Sequence, residues 1–259
     1  MTPRTHHELL RDDGTRLHYS VVGEGEQDVL LAHGLTSTGD LEWRYLLPLL
    51  ADRYRCLVPD LRGHGSSDHH DEHHGWDVVA ADLRALLAQE GSEQPHLIGF
   101  SFGSECLLRL AVAEPDLPAS LTLIGTSTGR PAHVDPSLRR PSGPMVWPDA
   151  LKRAHADKHG EDHWEVLVST MARRWQHLDE ISDTRLADLP CPVLVVMGEH
   201  ELPFKRAQAR RLPDVLTDAS LVVVPDVGHE VHILARDTVG PLVLAHLDAV
   251  HDRTSPAAT

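Results

Sequence analysis

The sequence predicts an α/β fold: a mostly parallel β-sheet with helices on both faces and one helical insertion. Apolar runs rich in β-branched residues, typical of buried strands, recur at residues 17–22, 29–32, 56–58, 96–98, 121–124, 193–197 and 221–224. Segments with apolar residues three and four positions apart, typical of helices, lie between several of these runs, at residues 77–88, 104–113, 204–212 and 231–250. Alternating strands and helices favour parallel pairing, since each helix returns the chain to the same end of the sheet.

The alternation is interrupted once, at residues 126–189. This segment begins with glycines and prolines and then becomes helical, without a convincing strand. We therefore predict a core formed by residues 1–125 and 190–259, with 126–189 as a helical cap insertion. The clearest cap helix is predicted at residues 162–177, where one stripe carries Trp164, Leu167, Val168, Met171 and Trp175. This stripe either packs onto the core or lines a pocket.

Length and charge narrow the class of protein. The 259 residues fit a single α/β domain with an insertion. Lys and Arg total 24 against 39 Asp and Glu, and the net charge of −15 repels nucleic acid and anionic membrane surfaces. No apolar run approaches the roughly 20 residues that span a bilayer, and the amino terminus lacks the apolar stretch of a secretory signal. We expect a cytoplasmic protein that acts on a small molecule, with no nucleic-acid or membrane partner; a homodimer is left open.

Residues 99–103 read Gly-Phe-Ser-Phe-Gly, a G-x-S-x-G motif centred on Ser101. The motif alone is weak, but here it follows a predicted strand and opens a predicted helix. In that setting a sharp turn lifts the serine hydroxyl clear of the sheet, and the glycines are needed because side chains would collide with neighbouring elements. Ser101 is therefore the candidate nucleophile; the alternative is a serine that only caps the helix.

Further motifs occur in a fixed order around this turn: HG at 33–34, DLRGHGSSD at 60–68, VLVVMG at 193–198 and VGH at 227–229. With them, the chain resembles the α/β-hydrolase superfamily over nearly its whole length, in particular its cap-bearing esterases, lactonases, carbon–carbon bond hydrolases and cofactor-free perhydrolases. The resemblance implies the α/β-hydrolase fold, with an eight-stranded, mostly parallel sheet.

The resemblance also orders the site along the chain: nucleophile, acid, then histidine. His229 occupies the place of the base, ahead of the last predicted helix, and His232 is its rival. The acid is expected in the loop Gly-Glu-His-Glu after strand 193–197. Glu201 is our choice, although the commonest pattern has aspartate there, because a glutamate can also accept from the imidazole and stabilise its charged form. Glu199 and Asp226 are the alternatives.

The resemblance further implies an oxyanion hole made of two backbone amides, those of Leu35 and Phe102. His33, close to the first amide, is expected to be a structural hydrogen-bonding residue. Three polar residues of the 60–68 stretch are expected to form a turn network below the nucleophile: Arg62, His64 and Asp68.

Metal and nucleotide cofactors are not expected. Residues 69–74 (HHDEHH) could supply metal ligands, but a glycine follows them and we predict an exposed polar loop. The chain lacks complete dinucleotide and P-loop motifs. Its three cysteines have no C-x-x-C spacing, so neither a disulfide framework nor a zinc site is predicted.

These expectations combine into a serine hydrolase that forms an acyl-enzyme on Ser101 and cleaves a small or medium hydrophobic ester, thioester or lactone. Apolar cap residues are the expected substrate-binding residues: Met145, Trp147, Trp164, Met171 and Trp175. The alternatives are carbon–carbon bond hydrolysis, acyl transfer or a lyase step on the same triad, and a non-enzymatic ligand receptor with a vestigial triad. Epoxide hydrolase and haloalkane dehalogenase chemistry are disfavoured, because those relatives place aspartate where Ser101 stands.

Overall fold

The computed structural model describes residues 2–69, 74–130, 149 and 153–254. The strands in these ranges are β1 (Arg4–Leu10), β2 (Arg16–Val22), β3 (Asp28–Ala32), β4 (Arg55–Pro59), β5 (His96–Phe100), β6 (Ser120–Ile124), β7 (Val193–Gly198) and β8 (Ala219–Val224). They form one eight-stranded sheet in the order β1-β2-β4-β3-β5-β6-β7-β8. β2 pairs antiparallel with β1 and β4, and the other neighbours pair parallel. The predicted fold class is confirmed.

The helices are α1 (Gly39–Trp43), α2 (Leu47–Leu50), α3 (Trp76–Gln89), α4 (Phe102–Ala113), α5 (Ala156–His159), α6 (His163–Trp175), α7 (Asp183–Ala187), α8 (Pro203–Val215), α9 (Val231–Leu234) and α10 (Arg236–Thr254). The single helix predicted at 231–250 is two helices, because Ala235 leaves the helical conformation with φ −118° and ψ 37°. Within the described ranges, no helix combines the length and the apolar character needed to cross a bilayer.

Different helices cover the two faces of the sheet. Along β3, Val29 and Leu31 pack with α1, α2 and α10, whereas Leu30 and Ala32 pack with α3, α4 and α8. This alternation follows from the two-residue period of a strand. Because all four side chains are fully buried, both faces are closed and the ends of the strands remain as the place for a site.

Between β6 and β7 the described chain contains the cap helices α5, α6 and α7 and no strand. The buried face of α6 is formed by His163, Leu167, Thr170 and Met171. At its carboxyl end, the Trp175 ring meets the Phe204 ring of α8 edge to face, with 5.7 Å between centroids. Met145 and Trp147, predicted to bind substrate, lie outside the described residues.

Three cap histidines connect α5 and α6 to the loops after β3 and β4, and we call them the histidine seam: His155, His159 and His163. His155 Nδ1 accepts from the Gly65 N–H at 2.9 Å, and its Nε2 donates to the Thr36 carbonyl at 2.9 Å. The other two donate from Nε2 to the carbonyls of Ser67 and Gly63, at 2.9 and 2.8 Å. A ring that accepts on one nitrogen and donates from the other is neutral, so the docked cap requires unprotonated His155.

The seam predicts stability that depends on pH. Burial lowers the pKa of His155 and of His159 to about 4, although hydrogen bonds to backbone carbonyls act in the opposite direction. An unfolded histidine titrates near pH 6.5, so between about pH 6.5 and 4 the unfolded chain binds more protons than the folded one. The free energy of unfolding should therefore be highest above this window and fall as the pH is lowered through it, as measured by urea titration.

His155→Gln tests the share of one residue, because glutamine keeps an acceptor and a donor but does not titrate. Its free energy of unfolding should depend on pH less steeply than the parent's, by up to about 1.4 kcal/mol per pH unit. His177→Gln, which removes an exposed cap histidine, is the matched control and should follow the parent. Identical slopes in all three proteins would contradict a neutral, buried His155.

Candidate active site

Five loops that follow parallel strands meet at one edge of the sheet. β3, β5, β6, β7 and β8 lie side by side in parallel register, so their carboxyl ends are together. Beyond these ends stand, in strand order, Leu35, Ser101, Gly125, Glu201 and His229. The fold thus collects residues that are far apart in the sequence.

Ser101 occupies a strained turn between β5 and α4. Its φ of 48° and ψ of −113° lie outside the regions favoured by non-glycine residues. The turn brings α4 so close to β3 that a Cβ on Gly103 would lie 2.5 Å from the carbonyl carbon of Ala32, which explains the glycine. The Ser101 side chain makes no capping bond to α4, so the helix-cap interpretation is wrong.

Ser101, His229 and Glu201 form a continuous hydrogen-bonded line. Ser101 Oγ lies 2.8 Å from His229 Nε2, and His229 Nδ1 lies 2.9 and 2.8 Å from the two carboxylate oxygens of Glu201. The Glu201 side chain is fully buried, whereas 26% of the His229 side chain is exposed. The three loops therefore place a hydroxyl, an imidazole and a carboxylate in proton-transfer order.

The surroundings of Glu201 keep it ionised. Burial by itself would raise the pKa of this carboxyl, since desolvation disfavours its charge. The hydrogen bond and charge of His229, the Leu202 N–H at 2.7 Å and the charge of Lys205 outweigh burial, so the pKa of Glu201 lies below its ordinary value. A carboxylate on Nδ1 holds the tautomer in which Nε2 accepts from the serine hydroxyl.

His232, the rival base, has a different partner. Its side chain is buried, and its Nε2 lies 2.9 Å from Glu42 Oε1. The Phe100 ring contacts both histidines, with centroids 4.8 Å from that of His229 and 4.2 Å from that of His232. The geometry therefore selects His229 as the histidine that meets Ser101.

The alternative acids lie at the surface. Glu199 and Asp226 are exposed, and Glu199 Oε2 accepts from the Asp226 backbone N–H at 3.1 Å. With His200 they form the one cluster of the described chain that holds three possible metal-ligand atoms within 4.8 Å of one another. Because all three side chains are exposed, we do not interpret the cluster as a metal centre. Residues 70–73 of the histidine run lie outside the described ranges.

Two backbone amides are available beside Ser101. Among the described residues, neither the Leu35 nor the Phe102 N–H donates to a protein acceptor. The loop of Leu35 is braced from behind, because the Gly34 N–H donates to buried Glu42 Oε2 at 2.9 Å. His33 donates from Nδ1 to the Gly34 carbonyl at 2.8 Å and accepts a backbone N–H on Nε2 at 2.9 Å, so it is structural, as predicted.

A cavity of about 610 Å³ lies between α6 and the core. Its wall includes Leu35, Trp76, Arg130, Met171 and Trp175. Two of the predicted substrate-binding residues, Met171 and Trp175, therefore line this cavity. Trp164 is half-buried and does not belong to this wall, because it precedes Met171 by two helical turns, about 10 Å along the axis.

The polar stretch at 60–68 forms the predicted turn network. Buried Arg62 donates to both carboxylate oxygens of Asp82 at 2.8 Å. His64 contacts two backbone groups of the core, and Asp68 pairs with cap residue Lys158, with their charged atoms 2.7 Å apart. The network thus stabilises the turn and, through Asp68, joins it to the cap.

Sequence reasoning missed two buried contacts between titratable side chains near the site. One joins Glu42 to His232, and the other joins Glu105 on α4 to Lys205 on α8, with Oε1 and Nζ 2.5 Å apart. The partners are 190 and 100 positions apart, so spacing gives no hint of either pair. One signal was present: Glu105 is the only charged residue in the first half of α4.

Comparisons with known proteins agree with this architecture. The sequence profile of the alpha/beta hydrolase family matches residues 29–240. The 2-hydroxy-6-oxononadienedioate/2-hydroxy-6-oxononatrienedioate hydrolase 2 of Pseudomonas putida is 28% identical over 244 residues, which cover 83% of this chain and 85% of that protein.

Two solved structures show the same fold. The 2-hydroxy-6-oxo-6-phenylhexa-2,4-dienoate hydrolase of Rhodococcus sp. strain RHA1 has a TM-score of 0.79 and 22% identity, covering 96% of this chain and all (100%) of that one. A thermophilic esterase from Thermogutta terrifontis has a TM-score of 0.75 and 22% identity, covering 95% and 99%. With a family match over most of its length, this chain belongs to the alpha/beta hydrolase family.

Proposed function

We propose that this protein is a serine hydrolase that cleaves a small or medium hydrophobic ester, thioester or lactone through an acyl-enzyme on Ser101. One observation carries the proposal: the line from Ser101 Oγ to His229 Nε2, 2.8 Å long, continues from Nδ1 to the buried Glu201 carboxylate at 2.8 Å. A serine hydroxyl is a poor nucleophile at neutral pH, and this arrangement supplies the base that activates it.

In the acylation step, Ser101 Oγ attacks the substrate carbonyl carbon while its proton moves to His229 Nε2. The carbonyl oxygen becomes an oxyanion that accepts from the Leu35 and Phe102 N–H groups. Glu201 stabilises the positive imidazole. When the tetrahedral intermediate collapses, the bond to the leaving oxygen or sulfur breaks and His229 returns the proton to it.

In the deacylation step, a water molecule replaces the leaving group. His229 accepts a proton from this water as its oxygen attacks the acyl carbon, and the same two amides hold the second oxyanion. The bond to Ser101 Oγ then breaks, Oγ recovers the proton, and the carboxylic acid leaves.

The cavity supports an apolar substrate. Met171 and Trp175 supply apolar surface on the cap side, and Trp76 does so on the core side. Leu35 belongs both to this wall and to the amide pair, so the cavity adjoins the loop of the proposed oxyanion hole.

A second candidate is hydrolysis of a carbon–carbon bond in a substrate that carries a carboxylate. The Pseudomonas putida and Rhodococcus relatives bear names of hydrolases acting on such oxo-acids. In this chain the cavity wall includes one guanidinium, that of Arg130, which donates to the Gln176 carbonyl at 2.7 Å and lies 6.0 Å from the Trp175 ring centroid. A guanidinium in an apolar wall can pair with a substrate carboxylate.

Replacement of the nucleophile tests the main proposal. Ser101→Ala should lower kcat/KM for a p-nitrophenyl ester by at least about 10³-fold, because no acyl-enzyme can form. A fluorophosphonate should label one serine per chain, identified as Ser101 by peptide mass. Ser169→Ala, which changes an exposed cap serine, should keep activity and labelling. Parental turnover in Ser101→Ala would remove the mechanism.

The acid can be tested against its neighbour in the same loop. Glu201→Gln should lower kcat by about 10³- to 10⁴-fold with KM little changed, because an amide cannot stabilise the positive imidazole. Glu199→Gln removes an exposed carboxylate two residues away and should remain active. Equal losses in both variants, or full activity of Glu201→Gln, would show that Glu201 is not the acid.

Arg130 separates the two candidate reactions. For carbon–carbon hydrolysis, Arg130→Gln should lower kcat/KM by about 10- to 100-fold for a vinylogous diketone carboxylate, through loss of a charge-assisted pair. Turnover of an uncharged ester should stay unchanged in that variant, and Arg173→Gln, on the exposed side of α6, is the control. If the parent cleaves esters and leaves the diketone intact, the carbon–carbon candidate is excluded.

A further inference from the structure

A second buried ionic network stands beside the triad and takes no part in the steps above. Lys205 of α8 is 5% exposed and Glu105 of α4 is 6% exposed, and Nζ and Oε1 are 2.5 Å apart. Burying two opposite charges costs desolvation that their attraction often fails to recover. Such a pair therefore calls for a role besides stability.

Glu105 joins three elements around the nucleophile helix. Its Oε2 accepts from Trp76 Nε1 at 2.6 Å, and its Oε1 accepts from the Ser127 hydroxyl at 2.6 Å as well as from Lys205. These contacts link α3, α4, α8 and the loop after β6. The carboxylate thus holds the Lys205 ammonium in one position.

From that position Lys205 contacts the main chain of Gly125, which lies beside the His229–Glu201 pair. Its Nζ donates to the Gly125 carbonyl at 2.9 Å. Gly125 has a φ of +58°, and a Cβ there would lie 3.1 Å from His229 Nδ1 and 3.2 Å from Glu201 Oε2. The backbone of Gly125 is therefore the wall against which the His229–Glu201 pair rests, and the carbonyl of this wall accepts a hydrogen bond from Lys205.

The same ammonium acts on the acid through its charge. Lys205 lies in the first turn of α8, just after the loop of Glu201, and its positive charge is one of the influences that bring the pKa of Glu201 down against the effect of burial. Ser101 contacts the pair directly, and Lys205, paired with Glu105, bonds the adjoining Gly125 carbonyl. Beyond Phe100 lies the Glu42–His232 contact. Lys205 is the cation of this set, and it lies on α8, the helix that follows the loop of Glu201.

We propose that Lys205, fixed by Glu105, is a positioning residue that holds Gly125 and thereby the His229–Glu201 pair in the geometry that Ser101 needs. This inference rests on the proposed serine hydrolase function. Lys205 does not touch the substrate in this account; it acts through the wall and through its charge. A pair that served stability alone would change the melting temperature but leave turnover and its pH profile as they are.

Three variants test it: Lys205→Met, Glu105→Gln and the double variant. In Lys205→Met, kcat for a p-nitrophenyl ester should fall by about 10- to 100-fold, with KM within about threefold, since the wall shifts but the apolar cavity remains. Lys158→Met, which removes the lysine that pairs with Asp68, is the matched control and should keep kcat.

The acidic limb of the pH profile, where kcat/KM falls as the pH is lowered, is a second measurement. A role in stability alone would not move this limb. Removing the cation leaves Glu105 uncompensated, so the limb of Lys205→Met should move to higher pH by about 0.5–1 unit. Removing the anion leaves Lys205 uncompensated, so the limb of Glu105→Gln should move to lower pH by a similar amount. The double variant should return the limb to the parental position, while kcat stays low because Gly125 still lacks its donor.

Each outcome decides between named alternatives. Parental kcat and an unmoved limb in folded Lys205→Met, together with an inactive Ser101→Ala, overturn the positioning role and leave the hydrolase proposal intact. An active Ser101→Ala overturns the hydrolase proposal itself. If Lys205→Met does not fold, Glu105→Gln decides through the direction of its limb. If neither single variant folds while the double variant folds with parental kcat, the pair serves stability alone and the proposal is wrong.

Discussion

The chemistry of this site depends on the parallel register of four neighbouring strands. Phe100 pairs with Ile124, and Gly198 pairs with Val224, so the loops after β5, β6, β7 and β8 begin at nearly the same height. A slip of one residue would turn each apolar side chain to the opposite face, and both faces are packed against helices. The hydrophobic layers therefore fix the register, and the register fixes the 2.8 Å contact between Ser101 and His229.

Glu201, the proposed acid, has one more methylene group than an aspartate would have and therefore more rotamer freedom to lose. The structure restrains this freedom with several partners. Both carboxylate oxygens of Glu201 lie within 2.9 Å of Nδ1, the Leu202 N–H lies 2.7 Å from one of them, and the side chain is fully buried. The longer carboxylate is thus held by the imidazole and by the amide of the next residue in its own loop.

The sequence predicts those parts of the fold that are marked by local patterns. β3, β5 and β7 are apolar over most of their length because both faces of the sheet are buried. Ser101 and His229 stand at recognisable distances from strand ends. β1 leaves no such mark, since every side chain except Leu9 is exposed and its place is set by pairing with β2. The break at Ala235 has no glycine or proline to announce it. Pairs such as Glu42 with His232 cannot be predicted from local patterns, because only the completed fold brings their elements together.

Two buried residues of the unpredicted pairs, Glu42 and Lys205, also bind main-chain groups in different parts of the site. Glu42 accepts from the Gly34 N–H and so braces the loop that presents the Leu35 amide, whereas Lys205 donates to the Gly125 carbonyl beside the acid and the base. Each grips a main-chain group of a different loop, and neither belongs to the proposed proton path. Donors and acceptors stabilise developing charge best when they need no reorientation during the reaction. Because the buried partners are assembled as the chain folds, the free-energy cost of orienting both loops is met in folding, before a substrate arrives.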